Sequence, residues 1–183
     1  RELAADLAHV GAPAALVHEA RRAEGDERRH ARAMSSLARR HGQRALRVPA
    51  RARRTSARPS LFELALHNAV EGWVGEAFGA LLALHQAEGS VDPAVRGALA
   101  PIARDEIRHA ALALRVHAWL APRLTGDERA RVLQAARAEI AALRASCPAV
   151  ESREAIALGF PGPTTARALV DALDATLWRD LGA

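Results

Sequence analysis

The chain has 183 residues, 50% of them hydrophobic, 26% charged and only 3% aromatic. That length supports one domain with a real core, and the apolar fraction excludes wholesale disorder. There are 26 basic residues against 21 acidic ones, a net charge of +5, and the single cysteine, Cys147, excludes an internal disulfide framework.

All of the basic charge is arginine, and both lysine and tyrosine are absent. Arginine without lysine, beside abundant alanine, fits the coding bias of a GC-rich genome, so basicity alone is weak grounds for nucleic-acid binding. A sheet protein needs β-branched and aromatic residues, whereas alanine, leucine and arginine favour helices. The apolar runs are short and broken by Arg, His or Glu, so no membrane span is expected. No signal peptide is visible, and a cytoplasmic protein is expected. The first residue is Arg1, with no capping residue before the opening segment, so the natural chain is expected to begin earlier.

Punctuation divides the chain. Gly11-Ala12-Pro13 is a turn, and helical periodicity runs from about Ala14 to about Arg40. Residues His41 to Pro59 lack periodicity and carry Gly42, Pro49 and Pro59, which makes a long crossover. Ser60-Leu61-Phe62-Glu63 has the form of a capping box and opens a long helix to about Glu88. Asp92 and Pro93 are an N-cap and first helical position, and that helix reaches about Leu120. Thr125-Gly126-Asp127-Glu128 opens a helix to about Ala145, which Cys147-Pro148 breaks. Pro161-Gly162-Pro163-Thr164 opens the last helix, to about Leu181. The expected architecture is all-α: hairpins over 1–40 and 60–120, the crossover 41–59 between them, and two trailing helices over 125–183, in one domain.

The informative feature is a duplicated pentapeptide. Asp26-Glu27-Arg28-Arg29-His30 recurs as Asp105-Glu106-Ile107-Arg108-His109, 79 residues later. Each copy falls mid-helix, on the second helix of its hairpin, after a turn with Pro13 or Pro93 at the equivalent place. Like hairpins in both halves imply a pseudo-twofold bundle. Glu and His three apart share a helix face, so both point at one ion. Glu71 lies 35 residues before Glu106, on the first helix of the second hairpin, and an antiparallel return brings it near the level of Glu106. Two such half-sites provide carboxylates and imidazoles for two metals. Oxygen with imidazole nitrogen suits iron or manganese. Solvated charge is the competing reading of a single E-x-x-H, but surface charge has no reason to repeat Asp, Glu, Arg and His in register.

A carboxylate followed some thirty residues later by D-E-x-R-H resembles the ferritin-like superfamily of dinuclear carboxylate proteins. Its nearest form is that of the oxygen-activating members, the soluble monooxygenase hydroxylase subunits and acyl-carrier-protein desaturases. The stretch Asn68 to Glu76, and the tail from Leu158-Gly159-Phe160-Pro161 through Leu177-Trp178, are similar to a compact group of bacterial ferritin-like domain proteins of unassigned function. The resemblance implies a four-helix bundle with one long crossover and two extra C-terminal helices. It implies Glu27 and Glu106 as bridging carboxylates, His30 and His109 as nitrogen ligands, and Glu71 as a terminal carboxylate. Asp26 and Asp105 become acceptors for a ligand histidine's other ring N–H, across the pseudo-twofold, and Arg29 and Arg108 pair with them. The first-hairpin equivalent of Glu71 falls upstream of Arg1. Glu2, the acid nearest that place, is displaced from it by roughly 15 Å of helix. Either the natural chain begins earlier or the site is asymmetric; the uncapped opening favours the first.

Other residues carry alternatives. His67 shares the face of Glu71 and is a possible extra ligand or a satisfied core histidine. His85 lies on the same stripe and reads as structural. Glu76, five residues from Glu71, points away from that stripe in an α-helix and is a weaker ligand. Gly72, Gly75 and Gly79 punctuate one helix at about 1 kcal/mol each relative to Ala. Close helix approach, a π-bulge at the site, or room for a substrate justifies them. The absence of tyrosine excludes a tyrosyl-radical role, and Trp73, Trp119 and Trp178 read as packing.

The expected activity is oxidation of a small molecule by O2 or peroxide at a dinuclear iron or mixed manganese–iron site. The electron donor and the substrate stay open, and a homodimer is possible. Val74, Phe78, Leu81, Ile102 and Leu112 are expected to keep the site dry. A ferroxidase or iron-handling protein is an alternative on the same fold, although the basic charge counts against cation storage. A non-enzymatic helical partner- or nucleic-acid-binding protein is the other, resting on Arg39, Arg40, Arg44, Arg47, Arg51, Arg53, Arg54 and Arg58. No aromatic interleaves those arginines to stack on bases.

Overall fold

A computed structural model describes residues 3–42, 58–145 and 151–179. Every regular element among them is helical. Most of the arginine-rich crossover, including Arg44, Arg47, Arg51, Arg53 and Arg54, and also Cys147, lies outside the described residues. The fold divides into two compact units, Arg1–Ser60 and Leu61–Ala183.

In the first unit, α1 (Leu3–His9) packs along α2 (Ala14–Arg40). The turn between them is a glycine-terminated helix end. Gly11 takes φ +74°, the Gly11 N–H donates to Ala8 O, and the Ala12 N–H donates to Leu7 O at 2.9 Å. A side chain with a Cβ resists that left-handed backbone, so glycine closes the helix there. The Glu24 carboxylate of α2 accepts from the Ala4 N–H, tying the open start of α1 down. Leu7, Ala20 and Asp26 are among the most buried residues of this unit.

The second unit holds α3 (Leu61–His67), a π-helical segment (Asn68–Glu76) and α4 (Ala77–Gly89), which run on from one another. They are followed by α5 (Pro93–Leu120), α6 (Gly126–Ala145), α7 (Arg153–Ala157) and α8 (Pro163–Thr176). The starts follow local chemistry. Asp92 accepts from the Ala94 N–H at 2.7 Å, with Pro93 at the first helical position where no donor is needed. Thr125 and Glu128 cap α6 reciprocally: Glu128 Oε2 accepts from the Thr125 N–H at 2.8 Å, and Thr125 Oγ1 accepts from the Glu128 N–H at 3.2 Å. Ser152 caps the short α7, an element that periodicity does not announce.

The π segment and α4 both pack on α5, while α6 covers α3 and the π segment, and α8 covers α4 and α6. The core runs through Leu64, Val74, Val116, Leu120, Val132 and Val170, all almost fully buried. The expected single 60–88 helix is therefore broken in type at its middle. A π turn closes i→i+5 hydrogen bonds, so each turn takes up one residue more than an α turn and rotates the succeeding residues by roughly 100°.

Candidate metal centre

The two pentapeptides have the same internal geometry. In each, the arginine pairs with the aspartate three residues earlier, Arg29 with Asp26 and Arg108 with Asp105. In each, the histidine Nδ1 approaches the glutamate three residues earlier, at 3.5 Å for His30 and Glu27 and at 3.2 Å for His109 and Glu106. Both histidines and Asp26 are buried, while Glu27 is 56% exposed.

Within the second unit, Glu76, Glu106 and His109 come together. One ligand-type atom from each lies within 4.8 Å of the others. Glu76 Oε2 stands 4.0 Å from His109 Nδ1, and its side chain keeps 35% of its exposure. Glu106 and His109 keep 14% and 6%. Two carboxylates repel at this range unless a proton or a cation lies between them. Two hard oxygens and one imidazole form a donor set that fits a divalent first-row metal ion.

Glu71 is exposed and stands outside this group. The reason is the face that the π segment turns toward α5. Asn68 contacts Ala113, Gly72 lies against the Ala113 methyl, and Glu76 reaches His109. Those three residues are spaced by four, and Glu71 is one residue off their stripe. His67, at the end of α3, is half-exposed and also outside the group, as is His85. Asn68 and Gly72 mark the stripe that faces α5, whereas Gly75 and Gly79 lie off it.

The flanking apolar residues divide similarly. Val74, Phe78, Ile102 and Leu112 are buried, and Leu81 is half-buried. Trp73 packs against His117 with ring centroids 4.6 Å apart and the ring planes tilted by 39°. Burial holds the His117 imidazole below its usual range. A separate cleft between α6 and α8 is lined by Arg137, Arg144, Asp174 and Trp178. There Arg144 is already engaged by Asp171 and Asp174 at 3.2 and 2.8 Å, and that cleft holds no ligand-type cluster among the described residues.

Comparison with protein-family models, curated proteins and solved structures finds no match.

No helix of the described residues is long and apolar enough to cross a membrane.

Proposed function

We propose that this chain is a ferritin-like carboxylate protein holding iron, or manganese with iron, and that it uses O2 or peroxide to oxidise a small molecule. The observation that carries the reading is the convergence of Glu76, Glu106 and His109 within 4.8 Å. The matching Glu27 and His30 on α2 offer the same donor pair, and the proposal assigns the second ion to them. Glu71 is not required: Glu76 supplies the carboxylate from the first helix of the second hairpin.

When bound, the metal supplies the redox chemistry; the protein supplies ligands, orientation and dryness. The Glu106 and His109 side chains leave one helix three residues apart and therefore keep their relation as the helix moves. Glu76 comes from the opposite helix, so its distance from His109 depends on how closely the two helices pack. Its 35% exposure leaves this carboxylate room to swing toward the ion it would help to hold. Buried Leu112 and Ala113, three and four residues after His109 on the same face of α5, keep bulk water from the adjoining wall.

Metal content decides the matter. The full chain, expressed with iron and manganese supplied, is expected to carry close to stoichiometric metal. Less than about a tenth of an equivalent overturns the reading in favour of a metal-free helical binding protein. Oxygen consumption with reductant alone, ending in mineral, favours a ferroxidase instead.

A further inference from the structure

We propose that Asn68 and Gly72 are positioning residues of the metal centre, clamping the π segment to α5 one turn away from the Glu76–His109 contact. The inference rests on the metal reading above and adds a determinant outside the ligands. Asn68 is 5% exposed, and its Nδ2 donates to Ala113 O at 3.0 Å. A carbonyl has two lone pairs, so Ala113 O accepts this bond beside its place in the helical ladder. That bond fixes the height of the π segment along α5.

Gly72 fixes the gap. A Cβ at position 72 would lie 3.0 Å from the Ala113 Cβ and 3.1 Å from Asn68 Oδ1. Carbon atoms in contact prefer about 3.5–4.0 Å, so the backbones are as close as the absence of a side chain allows. The Ala113 methyl has no torsion that moves it away, so relief comes only by separating the helices. The neighbouring glycines differ: Gly79 has nothing within 4 Å, and Gly75 meets only Val70 O of its own segment at 3.4 Å.

The register links clamp to site. Gly72 is four residues before Glu76, and Ala113 is four residues after His109. On antiparallel helices these are adjacent rungs. Opening the Gly72–Ala113 rung opens the 4.0 Å Glu76–His109 rung beside it. Glu106 and His109 share α5 and do not separate from each other.

The test is a Co2+ titration of the full chain, reading affinity and the visible ligand-field bands. Gly72→Ala is expected to weaken Co2+ at least tenfold and to shift the bands, and Asn68→Ala to act in the same direction. Gly72→Ala with Ala113→Gly, which moves the methyl to the other helix, is expected to recover most of the affinity and the wild-type bands. Gly79→Ala is expected to stay within twofold with unchanged bands. Wild-type affinity and bands in Gly72→Ala overturn the clamp. So does failure of the double variant to recover either one, including where the single variant does not fold. If wild type binds no Co2+, or Glu76→Gln and His109→Ala bind it as tightly as wild type, the metal reading itself fails and the clamp falls with it.

Discussion

The Glu76 carboxylate stands 4.0 Å from His109 Nδ1, across the two helices of the 61–120 hairpin. Glu71, on the same π segment, is exposed. The two glutamates are therefore predicted to behave oppositely. Glu76→Gln removes an anionic oxygen from the donor set and is expected to weaken Fe2+ or Mn2+ binding by more than about tenfold. Glu71→Gln is expected to leave it within twofold. Isothermal titration of the full chain checks both. Equal losses in the two variants contradict the assignment of the stripe.

Metal binding to the native state raises stability by mass action. With free Mn2+ at a hundred times its dissociation constant, wild type is expected to gain about 2.7 kcal/mol against urea. His109→Ala is expected to gain close to nothing, and a chelator is expected to reverse the wild-type gain. The same unfolding curves, with and without metal, report all three.

His117 is predicted to contribute to the acid limb of stability. Its imidazole is held neutral by burial, so its folded-state pKa lies below the unfolded value near 6.5. The unfolded chain then binds the proton first. The stability present above about 6.5 is lost as the pH falls through the folded-state pKa. The urea midpoint of His117→Gln is expected to fall less steeply over that interval than that of wild type. Parallel curves refute this.

Two glycine-to-alanine changes are predicted to have opposite signs. Gly159 takes φ +84°, and a Cβ there would lie 2.8 Å from Gln86 O and 2.9 Å from Gln86 Cα. Both are backbone atoms of α4, so nothing yields by a rotamer change, and Gly159→Ala is expected to cost about 1–3 kcal/mol. At Gly79, with open space around the position, alanine is expected to stabilise by about 0.5–1 kcal/mol. Urea unfolding of the two variants separates them.

Loss of a cap offers a milder measure. Asp92→Ala removes the side-chain acceptor of the Ala94 N–H and is expected to cost about 1 kcal/mol. The loss should appear as a lower urea midpoint at unchanged slope.

The residues alone determined the helical class and most helix boundaries, because caps, prolines and glycines act within a few residues of where they stand. Asp92, Thr125 with Glu128, and Gly11 are legible in that way. So is the repeated Glu–His pair, since i and i+3 share a face in any α-helix. The short α7 was not legible, being a single capped turn that docks through the Val91 N–H to Ala157 O at 2.8 Å. Which glutamate of the 68–76 segment joins the group was decided by tertiary structure. Face assignment by counting assumes i→i+4 closure, and the π turns there change the count. Gly72 against Ala113 and Asn68 on Ala113 O then set which side meets α5. A hydrogen-bond register and a close packing contact exist only between helices, so no local pattern records them.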